Sequence, residues 1–136
     1  MARIRTVKPE LHSSPSLARC SIEARWVFVG LLTLSDDEGR MIDLPKRFAG
    51  ELFPHEDGIS PAMVTAWIDE LENVDCIRRY EVDGKQYIYI PKWHTHQKIS
   101  SPTKSRLPEP PEDSQGNPGK PRDVLEFVRR KDEIPA

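Results

Sequence analysis

The feature that most limits what this chain can fold into is a helix pattern that runs straight into a tight β-hairpin. Ser60 offers an N-cap oxygen and Pro61 takes the first helical position, where a missing backbone N–H costs nothing. Val64, Trp67/Ile68 and Leu71 then fall on one face, while Ser60, Ala62, Thr65, Ala66, Asp69 and Asn73 lie largely away from it. Shortly afterwards two β-rich runs, from Ile77 to Val82 and from Lys85 to Ile90, flank Asp83-Gly84, a type I′ turn signal. A two-residue loop pairs Val82 with Lys85, Tyr80 with Tyr87 and Arg78 with Tyr89 on one face. Glu81–Gln86, Arg79–Ile88 and Ile77–Ile90 share the other. The isoleucine face is expected to meet the helices, leaving Tyr80, Tyr87, Tyr89 and Arg78 on the more open side. A slip of one residue would exchange the two faces.

Upstream, Ser21 caps a helix that runs through Leu34, with Ala24 where a capping box would carry Glu or Gln. Ile22, Trp26, Val29 and Leu32/Leu34 recur near helical spacing. The segment is apolar almost all round, so it is expected to be the buried helix; Trp26, Trp67 and Trp93 are all expected in the core. Asp36-Asp37-Glu38-Gly39 stops it, and Arg40 to Leu44 reads as a short strand. Lys46 to Phe53 reads as a second helix with Phe48 and Leu52 inward and Pro54 ending it. The order helix, strand, helix, turn, helix, hairpin is that of a winged helix-turn-helix. The expected fold class is therefore α/β in the α+β sense: three helices plus a small antiparallel sheet whose hairpin forms the wing.

Around this domain, expected at residues 17–99, the composition differs. Residues 1–16 read as a basic arm, with Pro9 and Pro15 breaking any helix and Arg3, Arg5 and Lys8 supplying charge. Residues 92–106 contain four Lys/Arg, two His and no acid. Residues 100–122 read as a Pro-rich linker, flexible from residue 107 onward, and residues 123–136 as a short C-terminal helix or tail. The 13 prolines and a mean hydropathy of -0.61 reflect these flanks.

Charge narrows the function classes. Residues 1–108 balance 15 Lys+Arg against 15 Asp+Glu, which argues against a histone-like protein but leaves room for a local basic surface. No apolar run approaches the roughly 18 residues that span a bilayer, and no apolar stretch follows the basic start as in a signal peptide. No membrane partner is expected, and the expected compartment is the cytoplasm, where Cys20 and Cys76 would be core thiols rather than a disulfide. Catalysis has no support: the chain lacks a phosphate-binding Gly-rich loop, a Gly-x-Ser-x-Gly turn and a Cys/His nucleophile arrangement. His94-Thr95-His96 lacks the further paired ligands a zinc site needs, so no metal or cofactor is expected.

What remains is binding. In a winged helix the third helix presents groups to base edges while nearby cations neutralise phosphates. The expected groove residues are Ser60, Ala62, Thr65 and Ala66. Arg3, Arg5, Lys46, Arg47, Lys85, Lys92, Lys98 and Lys104 are expected on the backbone, and His94 and His96 would donate to phosphate or pack on Trp93. The competing reading is a protein assembly module. It draws on the third helix itself, which has no Lys or Arg and carries Asp69, Glu70 and Glu72.

Several segments also resemble a family of small proteins of actinobacterial phages and prophages. They are the opening Ala2 to Glu10; Ala24-Arg25, Phe28, Gly30-Leu31 and Asp36 to Arg40; Leu52-Phe53-Pro54; Leu71, Tyr80 and Asp83 to Tyr87; and, most specific, Trp93-His94-Thr95-His96-Gln97-Lys98-Ile99. The resemblance covers roughly residues 1–108. It implies a winged-helix protein that binds double-stranded DNA in replication initiation or transcriptional regulation, in the cytoplasm of a bacterial host. Related primosomal loaders self-associate through such a domain, so the resemblance also implies a possible homodimer, or docking on a replication or host protein.

Overall fold

The structure is a computed structural model and describes residues 2–111. After a 3-10 turn at Pro9–Leu11 the elements are α1 (Pro15–Ala18), α2 (Ile22–Leu34), β1 (Arg40–Ile42), α3 (Pro45–Leu52), α4 (Pro61–Asn73), β2 (Arg78–Val82), β3 (Lys85–Tyr89) and α5 (Trp93–His96). The described residues thus form a mixed α+β fold, with five α-helices and one three-stranded antiparallel sheet in the order β1-β3-β2. Pro9 and Pro15, read from sequence as helix breakers, each stand at the start of a short helical turn, where proline fits.

The hairpin has the register set by its two-residue turn: Arg78 opposite Tyr89, Arg79 opposite Ile88, Tyr80 opposite Tyr87, Glu81 opposite Gln86 and Val82 opposite Lys85. Asp83 and Gly84 both take positive φ, at 52° and 81°, as a type I′ turn requires. Ile77, Ile88 and Ile90 are buried against the helices, as the alternation implies. The other face is not open. Tyr80, Tyr87 and Tyr89 form a second buried cluster, with Tyr80 stacked on Tyr87 at 5.3 Å, and Leu107 packs against them. The Tyr80 hydroxyl donates to the Pro108 carbonyl at 2.8 Å, and burial pushes its pKa up to about 12. The start of the segment read as a flexible linker is therefore a strap that covers the sheet. The helix expected at residues 123–131 lies outside the described residues.

The phase of α2 also departs from expectation. Its buried residues are Ala24, Val27, Phe28, Leu31, Leu32 and Leu34, while Ile22 is 74% exposed and Trp26 57%. A helix apolar on every side leaves its phase to its neighbours. Here α4 decides it, presenting Val64, Ile68 and Leu71, each fully buried.

The start of α2 is capped by two elements at once. Ser21 Oγ accepts from the Ala24 N–H at 3.1 Å, while the Ser21 N–H and hydroxyl donate to the two Glu70 carboxylate oxygens, each at 2.8 Å. Glu70 on α4 thus fills the place that a local Glu would hold in a capping box. Cys20, beside this junction, is a buried free thiol that burial pushes up to about 11.

Gly39 combines a left-handed backbone with a close aromatic neighbour. Its φ is +80°, and an added Cβ would lie 2.8 Å from the Trp93 ring. Gly84 has similar φ but open space around it. In urea unfolding, Gly39→Ala should cost about 2 kcal/mol or more, from left-handed backbone strain plus the ring clash. Gly84→Asn should change stability by no more than about 0.5 kcal/mol. Equal costs at the two sites would contradict the close approach of Trp93.

Candidate nucleic-acid interface

The cationic side chains that sequence reasoning assembled into one surface fall into different places, and the acidic turn after α2 takes two of them, Arg3 and Arg5. Asp37 is 5% exposed and receives Arg3 Nη1 at 2.8 Å, Arg5 Nη2 at 3.1 Å and the Thr103 N–H at 2.9 Å. The Thr103 hydrogen bond is the largest cause holding its pKa down at about 2; burial opposes it, and the two arginines add to it. Asp36 accepts from the Glu38 and Arg40 N–H groups and from the Ser105 hydroxyl, while Glu38 accepts from the Ser105 N–H at 2.7 Å. The same turn holds Trp93, whose indole N–H donates to the Asp37 carbonyl at 2.8 Å.

The arm is therefore docked at Arg3 and Arg5. Arg5 has only 5% of its side chain exposed; it donates to the Leu32 and Ser35 carbonyls and lies 5.1 Å over the Trp93 ring. It presents no guanidinium to a partner, which corrects its expected place on a DNA backbone. Arg3 keeps 46% side-chain exposure beside its pairing with Asp37. Gln97 completes the docking by clasping the Thr6 backbone, accepting from its N–H at 2.8 Å and donating to its carbonyl at 2.7 Å.

The remaining cations divide between two sides. Beside the acidic turn a cleft of about 440 Å3 is lined by Arg3, Arg40, Arg47, Lys104 and Arg106. Lys46 is exposed next to Arg47 at the start of α3. The Asp43 N–H donates to the Gln86 carbonyl at 3.0 Å, which brings the start of α3 to the hairpin end that carries the exposed Lys85. Lys92 and His96 instead line a second cleft of about 850 Å3 that also contains Lys8, Arg78, Glu10 and Asp75. His96 packs edge-on against Phe28, and its pKa is lowered first by burial and then by Lys8 and Lys92. That disfavours the charged form a phosphate contact would use. His94 and Lys98 are exposed. Among the described residues no cluster of three or more His, Cys, Asp or Glu could hold a metal, and no helix is long and apolar enough to cross a membrane.

On α4, Ala62 and Ala66 are exposed with Pro61 and Met63. Ser60 Oγ caps the helix by accepting from the Met63 N–H at 3.2 Å, and the half-buried Thr65 hydroxyl donates to the Pro61 carbonyl at 3.0 Å. The carboxylates of α4 turn to internal partners. Asp69 and Glu72 both pair with Arg79 of β2, Glu72 also accepts from the Arg79 N–H at 2.9 Å, and Glu70 holds Ser21. Neither Arg79 as the cation for this helix nor Glu70 as a cap was legible, because both contacts depend on how α4 meets its neighbours.

No protein-family model, curated protein or solved structure matches the chain.

The acidic turn predicts a linked response of both flanks. Asp37 has a folded pKa below its unfolded 3.8, so its contribution to stability is complete above that value and is lost as pH falls through about 2. Amide NMR on Arg5, Thr6, Thr103 and Ser105 should show both segments loosening together between about pH 4 and pH 2. Asp37→Asn should loosen both at neutral pH. An arm that stays protected in that variant would exclude Asp37 as the tie.

Proposed function

We propose that this chain is a non-enzymatic winged-helix protein that binds double-stranded DNA, with the exposed first half of α4 entering a groove and the hairpin and start of α3 on the flanking backbone. The sequence of α2, β1, α3, α4 and the β2–β3 hairpin follows the winged-helix order, and β3 sits between β1 and β2. Residues 60–66 would approach base edges, with Lys46, Arg47 and Lys85 on phosphates. The setting proposed from the family resemblance is replication initiation or transcriptional regulation in a phage or prophage, inside a bacterial host cell.

The observation that carries this reading is the disposal of charge on α4. Three carboxylates on a helix would ordinarily repel a phosphate surface. Asp69 and Glu72 share Arg79 and Glu70 is bound to Ser21, all toward the helix's second half. The exposed positions of the first half, Pro61, Ala62, Met63 and Ala66, are small or neutral. That leaves a helix start with its partial positive charge able to approach DNA closely.

A second reading, an assembly module acting through self-association or a protein partner, draws on Ile22 and Trp26, one turn apart and both exposed on α2. It predicts a dimer, or a complex with a partner replication protein, in light scattering without DNA.

A titration of random duplex across salt concentrations decides between them. DNA binding should weaken linearly on a log–log plot, with a slope of about -0.9 for each phosphate contacted. Ala66→Asp, at an exposed position, should reduce affinity by at least about tenfold through charge repulsion while leaving thermal unfolding unchanged. Absent or salt-independent binding by the wild-type chain would remove the DNA reading.

A further inference from the structure

The acidic turn does more than fasten the two flanks: it builds the cleft beside it from four separate parts of the chain. Arg3 comes from the arm, Arg40 from β1, Arg47 from α3, and Lys104 and Arg106 from the residues that lead into the strap. We infer that this cleft is a phosphate-binding site for the backbone of the DNA duplex, to one side of the groove that α4 enters. The inference rests on the DNA-binding reading above and extends its footprint to the strap.

The wall charges support an anion rather than a cation. Asp36 and Asp37 line the cleft, but both are occupied, Asp37 by two guanidinium groups and the Thr103 N–H, Asp36 by two backbone N–H groups and Ser105. Arg47 has Glu51 at 3.0 Å and Arg40 has Glu38 at 3.8 Å; the Arg47 pair is a solvated one-turn contact of the weak kind that a phosphate can displace. Lys104 and Arg106 are exposed and have no carboxylate partner among the described residues. Ser105 is fixed between them by three hydrogen bonds, so both cations are carried on an anchored backbone. The larger cleft on the other side sets three Lys/Arg against Glu10 and Asp75, where the first sets five against Asp36 and Asp37, and its histidine is held toward neutrality, which suits a phosphate less well.

Position also favours DNA backbone. The cleft includes Ile42, at the end of the edge strand β1, and the next residue is hydrogen-bonded to the hairpin beside Lys85. Arg47 lines the cleft, Lys46 precedes it on α3, and the Asp43–Gln86 hydrogen bond brings this end of the cleft to the hairpin that carries Lys85.

The test is the salt dependence of binding to a 24-base-pair duplex for the wild-type chain, Lys104→Ala/Arg106→Ala and Lys85→Ala. The double variant should flatten the log–log slope by about 1.8, two contacts at about 0.9 each, and Lys85→Ala by about 0.9. The loss should be the same on two unrelated duplex sequences, because phosphate contacts carry no sequence information. Thermal unfolding of the double variant should be unchanged. A double variant with wild-type slope, beside normal binding by the wild-type chain, overturns the cleft assignment and leaves the DNA reading standing. A loss confined to one sequence also overturns it. Failure of the wild-type chain to bind removes the DNA reading and the cleft together.

Discussion

A single buried negative charge organises this protein. Asp37 is itself 5% exposed, although its turn neighbours Asp36 and Glu38 are half-buried, and an unpaired carboxylate there would be disfavoured. Its partners come from opposite ends of the described chain: Arg3 and Arg5 from one flank and the Thr103 backbone from the other. The arm takes its order from this charge and from Gln97, while the segment after Thr103 is held further by Ser105 on Asp36 and Glu38 and by the tyrosine cluster. Arg5 answers three needs at once, giving Asp37 a counter-charge, satisfying two helix-end carbonyls and covering the indole ring. A lysine could not do this, since a single ammonium lacks the planar fork that reaches several acceptors.

The same economy appears on α4, where residues that look hostile to a polyanion serve the fold. Glu70 caps the neighbouring helix, and Asp69 and Glu72 orient Arg79 and through it β2. Helix, sheet and cap are therefore coupled by charge as well as by apolar burial. Net charge therefore says little about what α4 offers, because each of its three carboxylates has a partner within the fold.

How much of this was legible in the sequence depended on whether local chemistry or distant contact made the decision. The hairpin register followed from Asp83-Gly84, since a two-residue turn leaves one pairing, and the start of α4 followed from Ser60-Pro61. The phase of α2 was not legible: with apolar residues on all sides, Trp26 looked as suited to the core as Phe28. The cover over Tyr80, Tyr87 and Tyr89 was missed because Leu107 and Pro108 lie in a stretch whose composition is that of a linker. Among the candidate site residues, exposure at Ala62, Ala66, Lys46 and Lys85 agreed with the helix and turn assignments. Arg5 did not, because a basic residue in an apparent arm gives no local sign of an acid waiting 32 positions away.

The docking of Arg3 and Ser105 on one short turn has a topological consequence. The described chain nearly closes into a ring, with its two strands of entry and exit meeting at the Asp36–Glu38 corner. Such a ring can be opened elsewhere. Joining the flanks by a short bridge and cutting at the exposed Asp57-Gly58 bend would keep every helix and strand whole while carrying the free ends to the junction between α3 and α4.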